Sequence, residues 1–313
     1  MFLANHKTRY LLFLSFSILF ALIGCKTTDV ASVKNDKLPH IPQDLNSLIN
    51  SNGKIVESRP VNVNSKRPFK TECYKIKYLS DGLEVVGFLV KPKSGGSKFP
   101  VIIFNRGGNR EFGKITEGQL TYFSYMSSKG YVILASQYRG NDGGEGREEF
   151  GGKDLNDVLN IIQLAKSLPF VDPTKIVMLG YSRGGMMTYL SIKHGADIKA
   201  AAVVGGLTDV EQAYNRDEGM KRVIRSLVGM DKGEWEKRSA VYWPEKVNVP
   251  LLILHGEDDW RANPNQAIEL SEKLTEAGKV HKLVVFPKGD HGLSTHQSAR
   301  DQEIFKWFKK YLK

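Results

Sequence analysis

Cysteine is scarce in this chain, and its scarcity excludes several classes of protein. Only Cys25 and Cys73 occur among the 313 residues, so a fold held together by several disulfides is excluded. The cysteines form no cluster with the seven histidines, and we therefore expect no metal site. Cys73 lies in the strand-like run "CYKIKYL", where we predict a small buried apolar side chain.

Long apolar runs are also missing, apart from one near the N-terminus. The run "YLLFLSFSILFALIG" (10–24) follows Lys7 and Arg9, and it is short for a membrane span but typical of a secretory signal. It ends in "LIGC" (22–25), which resembles a bacterial lipobox. That resemblance implies that Cys25 is lipidated and becomes the first residue of the mature chain. An ordinary signal peptide or anchor, with Cys25 incidental, is the alternative.

The domain organisation follows from these patterns. We predict a lipoprotein signal at 1–24, a polar tether at 25–65 and one folded domain at 66–313. The protein is then exported and anchored to a bacterial membrane by its lipid. In known lipoprotein sorting signals an aspartate directly after the cysteine often marks inner-membrane retention. Lys26 stands there instead, and by resemblance to those signals this favours the outer membrane.

The formal charge of the chain is +11, but its basic residues are spread along the sequence. An excess of basic residues can bind nucleic acid or an anionic membrane, or it can form only a solvated surface. No recognised nucleic-acid motif accompanies it. We therefore expect a solvated basic surface and no nucleic-acid partner.

Strand-like patterns begin the folded domain. Two β-rich runs, 73–79 and 83–92, flank Asp81-Gly82, a pair typical of a two-residue hairpin turn. The runs "FPVIIFN" (99–105) and "YVILASQY" (131–138) are nearly continuously apolar, which indicates strands buried on both faces of a sheet.

Helix-like and strand-like patterns then alternate to the end of the chain. Helices are predicted at 152–168, 184–195, 263–278 and 299–312, and strands at 175–180, 199–206, 249–256 and 281–287. The alternation predicts an α/β fold with a mostly parallel sheet and helices on both faces. Residues 207–243 interrupt it after the sixth predicted strand and suit a small helical insert, which would form a partial lid.

A serine stands in a special frame at Gly180-Tyr-Ser182-Arg-Gly184. The preceding run predicts a strand and the following run a helix, so the chain must turn sharply at Ser182. Small residues on either side relieve the crowding of such a nucleophile elbow. The serine oxygen is then raised at the N-terminus of a helix, where negative charge is stabilised.

A nucleophilic serine needs a base and a group that orients the base. In α/β-hydrolases the three residues occur along the chain in the order Ser, Asp, His. The acid and the base each lie at the C-terminal end of a later strand. "LLILHGEDDW" ends one strand with Asp258 and Asp259, and "LVVFPKGDHGL" ends the next with His291. The other histidines lie in the signal, in the tether, at element ends or, for His255, where it would support a loop: His6, His40, His194, His255, His281 and His296.

Four stretches together resemble the catalytic domain of the prolyl oligopeptidase (S9-like) serine hydrolases: "YRGNDGGEGREEFGGKDLNDV", "VDPTKIVMLGYSRGGMM", "PLLILHGEDDW" and "FPKGDHGL". The resemblance covers roughly residues 70–313 and implies the α/β-hydrolase fold. The family motif H-G-x-x-D assigns the acid to Asp259 rather than Asp258. The motif G-x-x-H-G is matched around His291 with its first glycine offset by one residue.

An oxyanion hole requires two backbone N–H donors, each worth about 2.7–4 kcal/mol. We expect one from Arg183, directly after the nucleophile, and one from "FNRGGNREFG" (104–113), at Arg106 or Gly107. An ordinary glycine-rich turn is the alternative for this loop. The side chains of Arg106, Arg110 and Arg183 either bind a substrate carboxylate or are solvated.

The predicted reaction is hydrolysis of a peptide or ester bond through an acyl-enzyme on Ser182, with no cofactor. Family members that cleave peptides generally carry a β-propeller, for which we see no room here, so the carboxylesterase alternative stays open. A lipoprotein that only binds a ligand on the same fold is the second alternative. The peptidase, the carboxylesterase and the ligand-binding protein would share the same fold, so the fold alone does not decide among them.

Overall fold

The computed structural model describes residues 52–63, 69–94 and 98–313. The predicted signal, the lipidation site Cys25 and most of the predicted tether lie outside these ranges and stay predictions. Across the described ranges, every helix is too short or too polar to cross a bilayer.

One sheet of nine strands forms the centre of the described part of the chain. In chain order the strands are β1 (Ile55–Pro60), β2 (Thr71–Ser80), β3 (Leu83–Pro92), β4 (Phe99–Asn105), β5 (Val132–Ser136), β6 (Val171–Tyr181), β7 (Ala200–Val204), β8 (Leu251–Gly256) and β9 (His281–Phe286). Their order in space is β1-β2-β3-β5-β4-β6-β7-β8-β9. The pairs from β1 to β5 are antiparallel, and those from β5 through β4 to β9 are parallel.

Helices supply the crossovers that parallel strands require. They are α1 (Glu117–Ser127), α2 (Leu155–Ser167), α3 (Arg183–Lys193), α4 (Val210–Arg216), α5 (Glu218–Leu227), α6 (Lys232–Arg238), α7 (Pro264–Glu276) and α8 (Gln297–Tyr311). Two apolar layers, one on each side of the sheet, pack the helices against it. The predicted mostly parallel α/β sheet is confirmed, with the carboxyl ends of its parallel strands along one edge.

Local details of the sequence prediction are confirmed as well. The hairpin at Asp81-Gly82 joins Ser80 to its partner Leu83, and both turn residues have positive φ, as a two-residue turn requires. Cys73 is buried, and burial raises the pKa of its thiol to about 12. The thiol is therefore a packing group, as predicted, and not a nucleophile.

Two elements differ from the prediction. The tether prediction is wrong for Ile55–Pro60, which forms β1 and pairs with β2. Only Ile55 is buried in this edge strand, so its sequence shows no apolar alternation. No pattern predicted α1 either, because its buried face includes Ser124 and Ser127 beside its apolar residues.

The interruption at 207–243 is helical, as predicted, and contains α4, α5 and α6. Its inner side chains Ile224, Leu227 and Trp235 belong to the main apolar core. Arg238 is also buried and donates from Nε to the Phe150 carbonyl oxygen at 3.1 Å. The insert is therefore anchored to the body, and its motion as a lid stays a prediction.

Candidate active site

Ser182 stands at the turn between β6 and α3, with φ 55° and ψ −121°. This backbone conformation costs a non-glycine residue on the order of 1–3 kcal/mol, so the surroundings must hold it. The Ser182 N–H donates to the Val204 carbonyl at 2.9 Å, and the Ser182 carbonyl accepts from Gly185 N at 2.8 Å. A Cβ on Gly184 would lie 1.9 Å from the Asn105 carbonyl oxygen, which explains the glycine two positions after the serine. The turn has the geometry of the predicted nucleophile elbow.

His291 and Asp259 meet at the carboxyl edge of the sheet. His291 Nδ1 lies 2.8 Å from Asp259 Oδ2 and 2.9 Å from Oδ1. The Asp259 side chain is buried, whereas Asp258 is exposed. Burial on its own would raise the pKa of Asp259, but the hydrogen bonds from His255 and His291, together with the backbone N–H of Ala262, hold it well below its ordinary value. Asp259 is therefore the charged partner of the imidazole.

A second imidazole, that of His255, contacts the same carboxylate. His255 is fully buried, and its Nε2 lies 2.8 Å from the Ala262 carbonyl oxygen and 3.1 Å from Asp259 Oδ2. Both neighbours accept hydrogen bonds, so Nε2 carries the proton. The sequence predicted that His255 supports the loop. The structure adds its contact with Asp259, which the sequence analysis did not predict.

Ser182 and His291 line one pocket of about 600 Å³. No hydrogen bond joins the Ser182 hydroxyl to His291 among the described residues. Catalytic hydrogen bonds are often long in unliganded enzymes and tighten when substrate binds. Asp259 lies behind His291 and orients it from the far side of the ring.

The predicted oxyanion loop passes directly beside the nucleophile. A Cβ on Gly107 would lie 3.1 Å from both Ser182 Cβ and the Tyr181 carbonyl oxygen, a tight contact that glycine avoids. Gly107 and Arg183 both line the pocket, whereas Arg106 does not. Of the two backbone N–H groups predicted as the second oxyanion donor, that of Gly107 is therefore favoured over that of Arg106.

The Arg106 guanidinium holds this loop in place. It is fully buried and donates to the carbonyl oxygens of Gln137 at 2.8 Å, Gly107 at 3.0 Å and Arg110 at 2.9 Å. The expectation that Arg106 binds a substrate carboxylate or is solvated is wrong, because its donors are committed to the backbone. A pattern of residue types cannot show this, since the loop must first fold around the side chain and the Gln137 carbonyl lies 31 residues away in the chain.

Arg183 is buried in the same way, which corrects a second expectation. Its guanidinium lies over the rings of Tyr138 and Phe150 and pairs with Glu148 and Asp154. Because these ion pairs are removed from water, the side chain neither binds substrate nor is solvated. The Arg110 side chain instead reaches α5 and donates to Ser226 Oγ at 2.6 Å.

Comparison with known proteins places this geometry in a family. Residues 119–313 match the prolyl oligopeptidase family. The chain belongs to this family. An uncharacterized peptidase, YtmA, of Bacillus subtilis is 30% identical over 75% of this chain and 93% of its own length. By family the chain is a serine peptidase, and its fold is the α/β-hydrolase fold predicted from the sequence.

Larger family members share only part of their length with this chain. Dipeptidyl-peptidase 5 of Porphyromonas gingivalis is 25% identical over 75% of this chain but 37% of its own length. The solved structure of Pyrococcus horikoshii acylaminoacyl peptidase has a TM-score of 0.69 and 26% identity over 79% of this chain and 43% of its own. The chain spans less than half of these two relatives.

Arg300 is a site residue that the sequence prediction missed. It lines the pocket, and its Nη1 donates to the carbonyl oxygen of Gly292, next to His291, at 2.8 Å. Its guanidinium lies over the rings of Tyr122 and Tyr181 and pairs with Asp301. In this prolyl oligopeptidase family member, Arg300 therefore ties α8 to the histidine loop. No local motif marks it.

The low pKa of Asp259 predicts how activity responds to acid. Because its pKa lies well below the ordinary value, Asp259 remains ionised at pH values where an ordinary aspartate takes up a proton, so it adds no second protonation to the acid limb. We expect log kcat/KM to rise with a slope of about one on the acid side. An acid limb with a slope near two would contradict the assignment of the carboxylate.

The same group contributes to stability in a defined pH window. Its folded pKa lies below the unfolded value of about 3.9, so its contribution is present above that value and is lost as pH falls through the folded pKa. The difference in the free energy of unfolding between the wild type and Asp259→Asn should therefore be largest above about pH 4 and shrink steadily as the pH falls below it.

Proposed function

We propose that this chain hydrolyses amide bonds in short peptides through an acyl-enzyme on Ser182. The observation that carries the proposal is the shared pocket of Ser182 and His291, with the buried Asp259 bonded to His291 Nδ1. The mechanistic roles follow from these contacts.

The proposed reaction proceeds in two steps. His291 Nε2 takes the hydroxyl proton while Ser182 Oγ attacks the carbonyl carbon, and the backbone N–H groups of Gly107 and Arg183 stabilise the oxyanion. The imidazolium, stabilised by Asp259, then gives that proton to the leaving amine as the C–N bond breaks. In the second step a water molecule gives a proton to His291 and attacks the acyl carbon. The bond from that carbon to Ser182 Oγ then breaks, His291 returns the proton to Oγ, and the acid leaves.

The charges around the pocket favour peptides without a free ammonium group. Arg216, Arg261 and Arg300 all line it, and Asp217 is the one carboxylate that the described residues place in its lining. Asp217 already accepts from Arg216 Nε at 2.6 Å and from Met220 N at 2.8 Å. A free amino terminus would therefore meet like charge, whereas an acylated one would not. The similarity to an acylaminoacyl peptidase supports the same choice.

Location is part of the proposal. A lipid on Cys25 would hold the enzyme at a membrane surface on the exported side, with the tether preceding β1. Short peptides in that compartment would be its substrates. The identity of Cys25 as the lipidated residue can be tested by replacing it with serine and following membrane association.

A panel of chromogenic substrates tests the proposal. The full chain is offered acetyl-Ala-Ala-Ala-p-nitroanilide, the same peptide with a free amino end, acetyl-Ala-Pro-p-nitroanilide and p-nitrophenyl acetate, with Ser182→Ala as the blank. We expect the acetylated anilides to be cleaved faster than the free-amine peptide. Faster cleavage of the free-amine peptide would contradict the charge argument. Release of nitrophenol from the ester alone would make the protein a carboxylesterase. No release from any substrate would favour the ligand-binding alternative.

A further inference from the structure

Two aromatic side chains are exposed at the mouth of the pocket. Trp260 is 70% exposed and Phe112 is 64% exposed, the highest values for large apolar side chains among the described residues. Both line the pocket that contains Ser182. Single exposed apolar residues are normal on a protein surface, but two aromatic rings at one catalytic pocket are a concentration of apolar surface where substrate must pass.

Phe112 stands on a rigid base. Its N–H donates to the Asn109 carbonyl and its carbonyl accepts from Asn109 N, each at 3.0 Å. The buried Arg106 guanidinium also donates from Nη1 to the Phe112 carbonyl oxygen at 3.4 Å. The loop that presents the ring is therefore the loop that carries Gly107 beside the nucleophile.

Trp260 lies on the loop that carries Asp259. It directly follows Asp259, whose Oδ1 accepts from Arg261 N and Ala262 N, each at 2.9 Å. The chain thus wraps around the buried carboxylate and leaves the indole in solvent. Hydrogen bonds therefore hold the backbone from which both rings project before substrate arrives, which reduces the entropic cost of binding.

One guanidinium connects the two rings. The Arg261 guanidinium carbon lies 4.9 Å from the Trp260 ring centre and 5.9 Å from the Phe112 ring centre. The described residues supply Arg261 with no carboxylate partner, so its charge and the two rings face the solvent side of the pocket together. Cation–π contact of this kind orders the rings without covering them.

We infer that Phe112 and Trp260, named here the aromatic pair, form a subsite for an aromatic or large apolar side chain of the peptide. That side chain belongs to a residue other than the one whose carbonyl meets Ser182, because the pair stands at the mouth. A substrate ring stacked there removes apolar surface of both partners from water. The inference rests on the proposed function and deepens it by naming the substrate class: short acylated peptides with an aromatic or large apolar residue.

The test compares peptides that differ in one ring. The values of kcat/KM are measured for acetyl-Phe-Ala-Ala-p-nitroanilide and acetyl-Ala-Phe-Ala-p-nitroanilide, each relative to acetyl-Ala-Ala-Ala-p-nitroanilide. We expect the larger of these two ratios to be about tenfold in the wild type and to fall to about twofold in Trp260→Ala and Phe112→Ala. Effects of a substitution on the shared chemistry cancel in the ratio. Tyr242→Ala is the matched control, since Tyr242 is 49% exposed but does not line the pocket, and it should keep the wild-type ratio.

A binding measurement separates this inference from the proposed function. Calorimetry with the Ser182→Ala protein compares acetyl-Phe-Ala-Ala-amide and acetyl-Ala-Phe-Ala-amide with acetyl-Ala-Ala-Ala-amide, with and without Trp260→Ala. If a phenylalanine peptide binds more tightly and Trp260→Ala removes this gain, the subsite is supported. This holds even if no anilide is cleaved, and absence of cleavage would then contradict the proposed function but not the subsite. Cleavage and binding that ignore the ring would overturn the subsite. If Trp260→Ala then weakens binding to lipid vesicles instead, the aromatic pair contacts a membrane surface.

Discussion

Replacing Ser182 with alanine is expected to lower kcat by roughly 10⁶-fold, to the level left by binding and the oxyanion hole. The hydroxyl oxygen is the atom that forms the acyl bond, and no neighbouring side chain can take its place in the elbow. Alanine fills the same space and inherits the same backbone strain, so the folded structure should persist. Activity on the preferred anilide and the thermal midpoint are the two measurements.

Ser191→Ala is the matched control for that variant. Ser191 lies on α3, downstream of the nucleophile, and its hydroxyl donates to the Met187 carbonyl within the helix at 2.7 Å. It lies outside the pocket lining, so its loss should leave kcat within about twofold. Equal losses in the two variants would show that Ser182→Ala acts through the helix rather than through the nucleophile.

Asp259→Asn is expected to lower kcat by about 10⁴-fold, and also to lower the free energy of unfolding above about pH 4, where the charged carboxylate contributes. The amide keeps an oxygen for the N–H groups of Arg261 and Ala262, but its NH₂ cannot accept the proton of His291 Nδ1. The imidazole is then held in the wrong tautomer and its charged form is no longer stabilised. Steady-state kinetics on the same anilide measure the effect.

The neighbouring carboxylate gives the control for this second prediction. Asp258→Asn removes one negative charge at an exposed side chain one position away, and activity should stay within about twofold of the wild type. A large loss with Asp258→Asn and a small one with Asp259→Asn would reverse the assignment of the acid.

Much of the fold was predictable because its signals are local. Buried parallel strands such as β4 and β8 have nearly continuous apolar sequences. The turn at Ser182 requires small residues two positions before and after the serine. The acid and base were also predictable, because each lies just after a predicted strand. Parallel strands bring such positions to one edge of a sheet.

The remaining features depend on contacts between distant segments. β1 owes its place to pairing with β2, not to its own pattern. Arg106 and Arg183 looked like surface or substrate-binding residues, yet their partners Gln137, Glu148 and Asp154 lie about 30 residues away in the chain. Side-chain burial of this kind follows from the assembled loops, and no spacing in the sequence encodes it.

Covalent labelling can show whether Ser182 is the nucleophile. The full chain is treated with a fluorophosphonate probe, digested and analysed by mass spectrometry. We expect one adduct, on Ser182, formed quickly in the wild type and much more slowly in Asp259→Asn. A label on another serine, or labelling of Ser182 that does not depend on Asp259, would contradict this expectation.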